Sequence, residues 1–323
     1  VTELQGPRIP GPGVLLWAQG REELADPLFP EKLADCHPGW AEDARAFAPW
    51  QEVLVPWCSA CAQESWWLSS EKVRGRIVVC GPCSSCLDVA RPMAENKLLD
   101  PWDSVLAVSQ WSGRGQLRRG WDSPPGNLYA ALVLPQPPRE YDSLLPLILG
   151  YCMAGFLLGR KVPARIKWPN DILAGGVKVG GMLVEERRGT VLAGIGLNLV
   201  SSPPLAMLRE DHAVPAGYLK ACGLNATPLG LWRDLVDFVK ICYETTLTQG
   251  TPHNVTSLIE PHLEWLGQDV LVREGGETPW RARIIGLAPD GALRVKPAGV
   301  AGERLLTSGS IWRAPEGPLK NPG

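Results

Sequence analysis

Four short stretches of the chain gather side chains able to do chemistry. The first, SQWSGRGQLRRGW at residues 109–121, sets Arg114, Arg118 and Arg119 among glycines, between Trp111 and Trp121. Like charges this close repel, so an anion is expected to sit among them. Arginine offers a planar fork of donors that matches a carboxylate or phosphate. Gly113 and Gly115 let the backbone approach a ligand, and Trp121 supplies a face on which a base can stack. The second stretch is KWPNDIL, residues 167–173. There Pro169 forces Trp168 extended and leaves Asn170 and Asp171 at a strand end facing a cavity, with Asn170 able to read an adenine-like edge. The third is GGVKVGGMLVE, where Lys178 can point its ammonium at a carboxylate or phosphate. The fourth is GIGLNL, where Asn198 interrupts an apolar strand and needs a partner. Each has a plain alternative when taken alone: a basic surface loop, a punctuating turn, a solvated lysine at a hairpin edge, and an asparagine bonded to backbone. Neither G-x-x-x-x-G-K-[ST] nor G-x-G-x-x-G after a strand is present, so a nucleotide would bind by another design.

Interleaved strands and helices must hold these stretches. RIVVC reads as a buried strand, LDVARPMAEN as a helix, SVLAVSQ and NLYAALVL as strands, and RIKWPND as the exit from a fourth. KVGGMLVEERRGTVLAGIGLNL is a hairpin with Arg188 and Gly189 at its turn. SLLPLILGYCMAGFLLG and LGLWRDLVDFVKICYETTL are helices; in the second, Leu231, Leu235, Phe238 and Cys242 fall near one face. The pattern predicts a mixed α and β layer. After HLEWLGQ the strands DVLVRE, RARIIGLAPDGALRV and RLLTSGSIWR, cut by turns, predict a small β barrel. Residues 1–74 are rich in Pro and Trp and weakly periodic.

With 323 residues the chain suggests about two domains. Its hydrophobic fraction of 45% is enough for a core and argues against disorder. The net charge of −2 does not point to wholesale nucleic-acid binding, and residues 1–74 hold six basic against eleven acidic residues, the wrong sign for gripping phosphates. Any anion site must be local. Nine cysteines spread over a long chain suggest a reducing compartment. The uncharged, strongly apolar run at residues 143–159 holds Pro146, Gly150 and Gly155 and reads as a buried helix rather than a membrane span. No signal peptide is evident, so a soluble, cytoplasmic protein is expected. Cys58-x-x-Cys61 and Cys80-x-x-Cys83 have the spacing of a four-cysteine zinc site; free thiols are the favoured reading.

Taken together, GRG…W-x-S-P-x-G-N-L-Y, KWPNDI, K-x-G-G-x-L-V-E and GIG-x-N, in this order, resemble the biotin–protein ligases (holocarboxylase synthetases) over roughly residues 76–313. LGQDV…GLAPDGAL…SGSI is similar to that family's SH3-like domain. The resemblance implies an α+β fold: a mixed-sheet catalytic domain packed with helices, related to class II aminoacyl-tRNA synthetases, plus a C-terminal SH3-like barrel. The boundaries expected are an extension of open role at 1–74, a catalytic domain at 75–262 and the barrel at 263–323. It also implies activation of biotin by ATP, with Mg²⁺, to biotinyl-5′-AMP, and transfer to a lysine of a biotin carboxyl carrier domain. By motif position, Arg114 and Lys178 meet the reacting carboxylate and phosphate, and Arg119 a further phosphate. Trp121, Asn170 and Asn198 match adenine-pocket positions. Ser85, Cys86 and Gln110 match biotin positions, although Cys86 and Leu87 stand where Thr and Asn are usual. Asp171 could orient Lys178 or hold the metal. The resemblance leaves a homodimer open and implies no membrane partner.

Three other readings are weighed. A lipoate or octanoate ligase shares the superfamily's fold but lacks this pairing of GRG…S-P-x-G-N with KWPND. A bifunctional ligase and DNA-binding repressor would need a helix-turn-helix, whereas residues 1–74 show no such pattern. A non-catalytic module built on the barrel fits poorly with Arg114, Lys178 and Asn170.

Overall fold

In the computed structural model the described residues are 11–56, 63–116, 119–204, 214–248, 250–275 and 277–314. They fall into two compact units. The first comprises Val1–Pro137, Val179–Pro203 and Gly217–Ile241; the second, Pro138–Lys178, Pro204–Ala216 and Cys242–Gly323.

The first unit is built on a mixed sheet. Its strands are β1 (Gly13–Trp17), β2 (Trp50–Pro56), β3 (Gln63–Ser69), β4 (Arg76–Cys80), β5 (Ser104–Ala107) and β6 (Leu128–Leu134). It also holds β10 (Thr190–Leu197) and residues 179–187 of β9 (Val177–Arg187). The order is β2-β3-β1-β4-β5-β6-β10-β9. β1, β4 and β5 run parallel, in the register Leu15↔Val78 and Val78↔Val105. The remaining pairs are antiparallel. Parallel strands covered on both faces are apolar throughout, and all five residues of GVLLW in β1 are buried. β6 is likewise buried at every position. The β9–β10 hairpin turns at Arg188 (φ 52°) and Gly189 (φ 76°), the two left-handed residues that such a turn demands.

The structure differs most from the sequence reading in the first 74 residues. Two short helices, α1 (Pro30–Cys36) and α2 (Pro38–Ala46), lie there with three strands of the sheet. The hydrogen bonds of β1 to both β3 and β4 make this segment part of the sheet itself. The helix α3 (Cys86–Glu95) follows β4 and packs on β5, β6 and β10. Ser85 caps it, its Oγ accepting the Leu87 N–H at 3.3 Å, and Asp88 in the first turn complements the helix dipole. Val89, Ala90 and Met93 bury its apolar face in the same core as Val78, Val105 and Tyr129. Asp43 of α2 accepts the N–H groups of Leu229 (2.8 Å) and Gly230 (3.1 Å), so a carboxylate holds the start of α5 (Pro228–Leu247).

In the second unit α4 (Leu145–Gly159) is apolar and mostly buried, as expected for residues 143–159. With the turn before it, residues 139–159 form a helix that length and composition alone would allow to cross a membrane, and much of it is buried. β7 (Ala164–Lys167) and β8 (Asp171–Ala174) form a hairpin with Lys167 opposite Asp171. α6 (Pro252–Ile259) is capped by Thr251. Five antiparallel strands follow: β11 (Asp269–Arg273), β12 (Trp280–Leu287), β13 (Leu293–Pro297), β14 (Arg304–Leu306) and β15 (Ser310–Arg313), in the order β14-β13-β12-β11-β15. The turn read from PDGAL joins β12 to β13, with Gly291 at φ 84°. The expected α+β fold with a small SH3-like β unit at its end is therefore present.

Candidate functional site

The sequence-identified residues divide between the two units. In the first, β5 leads into a tight loop. Trp121 N–H donates to the Gly113 carbonyl and Gly115 N–H to the Arg119 carbonyl, both at 2.8 Å. A side chain at Gly113 would collide with the Trp121 carbonyl and lie 2.7 Å from Ser123 Oγ. That glycine serves the loop's closure rather than a ligand's approach. Arg114 and Arg119 are exposed on the loop, while Leu117 and Arg118 lie outside the described residues.

Arg114 is held by carboxylates. Its Nη2 is 2.9 Å from Asp88 Oδ1 on α3, and its Nη1 is 3.5 Å from Glu185 Oε1 on β9. Arg91 of α3 reaches the other oxygen of Glu185 at 2.7 Å. Reading the sequence missed Asp88, Arg91 and Glu185. The signal available was slight: Asp88 and Arg91 share a helix face at i, i+3, but Glu185, the partner of Arg91, is almost a hundred residues away.

The GIG of the fourth stretch has a spatial cause. Alternate strand residues share a face, and a Cβ at Gly194 would lie 2.9 Å from Leu87 Cδ1. A Cβ at Gly196 would lie 2.7 Å from the Trp121 indole. The two glycines thus form a flat seat on β10 for Leu87 and for the aromatic ring. Asn198 donates through Nδ2 to the Gly217 carbonyl at 2.9 Å, and its backbone bonds Val179 and Leu219. Asn127, overlooked in the sequence, is the firmer anchor here. Its Oδ1 accepts the N–H groups of Leu199, Val200 and Ser201 at 2.9, 3.0 and 3.3 Å. Its signal was a lone amide at the start of an apolar strand.

Gln110 ties the loop to α3. Its Oε1 accepts the Cys86 N–H at 2.8 Å, and its Nε2 donates to Ser123 Oγ at 2.9 Å. Cys86 is buried, with its thiol donating to the Tyr129 carbonyl at 3.2 Å, and burial pushes that thiol up. Cys80 is also buried and donates to the Leu106 carbonyl. Cys58 and Cys61 of the four-cysteine spacing lie outside the described residues. Among the described residues no three His, Cys, Asp or Glu side chains come together as a metal site.

In the second unit the turn of the β7–β8 hairpin is Trp168-Pro169-Asn170, with a cis bond before Pro169. Trp168 is buried and donates to the Gly291 carbonyl at 3.0 Å. Asn170 and Asp171 are both buried. Asp171 Oδ1 lies 2.6 Å from Lys178 Nζ, and Oδ2 lies 3.0 Å from Lys167 Nζ. Burial pushes this carboxyl up, but the two ammonium groups outweigh it and hold the group below the usual carboxylate range. One buried carboxylate between two lysines leaves a net positive charge, suited to an anion.

A family model described as the biotin/lipoate A/B protein ligase family matches residues 96–200. A biotin--[acetyl-CoA-carboxylase] ligase of Paracoccus denitrificans is 38% identical over 220 residues, which cover 64% of this chain and 89% of that protein. The bifunctional ligase/repressor BirA of Bacillus subtilis is 26% identical over 237 residues, covering 70% and 71%. In fold, a biotin protein ligase from Aquifex aeolicus, solved in complex with biotin and ATP, superposes with a TM-score of 0.61 at 23% identity, covering 75% of this chain and all of that one.

Proposed function

This chain belongs to the biotin–protein ligase family, and on that premise we propose that it activates biotin with ATP and hands the biotinyl group to a lysine of a biotin carboxyl carrier domain. In the first step a biotin carboxylate oxygen attacks the α-phosphorus of ATP, and the bond to pyrophosphate breaks. In the second, the acceptor amine attacks the biotinyl carbonyl and AMP leaves. Two anions must meet in the first step, so cations that offset their repulsion lower its barrier. Arg114 and Lys178 take that role and Arg119 meets a further phosphate. Trp121, seated on Gly196, offers the adenine a stacking face, and Asn170 reads its edge. Asn198 serves the same pocket through its bond to the Gly217 carbonyl. Ser85, Cys86 and Gln110 line the biotin side.

The observation that carries this reading is the buried Asp171 carboxylate with an ammonium on each oxygen. Such a carboxylate orients Lys178. Its donor set does not fit a metal ion, because both oxygens are taken and the two ammonium groups repel a dication. On the same reading the chain works in the cytoplasm and can pair as a homodimer.

Isotope exchange between pyrophosphate and ATP tests the first step. Exchange is expected with biotin and absent with lipoate; the reverse would make the chain a lipoate ligase. Arg114→Ala should slow biotin-dependent exchange about a hundredfold, or about 3 kcal/mol. Labelling of a purified carrier domain by biotin tests the second step.

A further inference from the structure

The arginine assigned to the reacting anion is not waiting as a bare charge. Arg114, Asp88, Glu185 and Arg91 form a closed set of two cations and two anions whose formal charges cancel. Its two sides differ. Arg91 is only 13% exposed, and its short 2.7 Å pair fixes Glu185. Its Nη1 is buried with no hydrogen-bond partner among the described residues, so Glu185 is its main counter-charge. The Arg114–Asp88 pair faces solvent, with side chains 38% and 39% exposed. Asp88 is kept in place by Ser84 Oγ, which donates to its second oxygen at 3.1 Å.

An anion that takes the Arg114 guanidinium therefore competes with a carboxylate already bonded to it. We propose that Asp88 and Glu185 are positioning residues for Arg114 and that they set the affinity for the anion it takes. Glu185, anchored by Arg91, is the fixed pivot, and Asp88 is the partner for which the ligand carboxylate exchanges. This rests on the reading of Arg114 as the arginine that meets the biotin carboxylate.

The test is calorimetric titration of the full chain with biotin and with biotinol, in which the carboxylate is reduced to an alcohol. Asp88→Asn removes the competing charge and keeps the side chain's shape. It should tighten biotin about tenfold, a modest gain because the pair is solvent-screened, while leaving biotinol unchanged. Asp88→Glu restores the charge and should return biotin affinity to the wild-type value. Should Asp88→Asn fail to fold, Asp88→Ser keeps a polar group in the first turn of α3 and should tighten biotin in the same way. Unchanged or weaker biotin binding in a folded charge-removing variant, with wild-type binding intact, overturns the proposal. So does equal tightening of biotinol, which would mark a structural effect. A wild-type chain that binds neither compound overturns the functional reading itself.

Discussion

Replacing Gly196 by alanine isolates the seat beneath Trp121. The added Cβ would stand 2.7 Å from Cε2 and Nε1 of the indole and 2.9 Å from Cζ2. Ordinary carbon–carbon contact lies at about 3.5–4.0 Å, so the ring must retreat by roughly 1 Å or the strand must bend. The strand has little room to bend: Gly196 is paired with Gly181 on one side and Tyr129 on the other. The ring therefore moves. Overpacking of this kind costs about 1–3 kcal/mol, and the displaced ring loses its stacking geometry. Chemical denaturation should show a loss within that range, and ATP affinity should fall about tenfold or more. The decisive measurement is the cycle with Trp121→Ala. If the clash is with the indole, Gly196→Ala should cost little in that background. A cost that is the same with and without the ring would refute the argument, because the strain would then lie elsewhere.

Two further outcomes follow from buried polar groups. Burial raises the Asp43 carboxyl from 3.8 to about 6, against the hydrogen bonds of Thr227, Leu229 and Gly230. A carboxyl raised on folding lends stability below the unfolded value and loses it as pH rises through the folded one. The advantage of wild type over Asp43→Asn should thus shrink by about 2 kcal/mol between pH 4 and pH 7, read by urea denaturation at each pH; a difference independent of pH would contradict it. Asn127→Ala strands the N–H groups of Leu199, Val200 and Ser201 and should cost about 3 kcal/mol in the same denaturation assay.

What was legible in the sequence was what local patterning controls. The Arg188-Gly189 turn is written in two adjacent residues, and α3 in the helical spacing of its apolar residues. β1 was missed because five apolar residues between turn formers carry no period that separates a buried strand from other structure, and the surrounding Pro and Trp hid it. At the site, residue types and order were readable, but their partners were not. Gly113 read as a place for a ligand's approach and instead closes the loop against the Trp121 carbonyl, while Gly196, given no role in the sequence, seats the ring of Trp121, 75 residues earlier in the chain. Glu185 had no local mark, since its meaning lies in two guanidiniums brought from α3 and the loop.

The parallel pairing of β1 with β4 bears on how the enzyme can be trimmed. Cutting the chain back to the start of β4 would strip one side of Ile77, Val78 and Val79 of their main-chain partners. A raw hydrophobic margin would then face solvent, ready to zip onto any passing strand. The acidic leader works as selvedge: it finishes the cloth, and the fabric frays into aggregate without it.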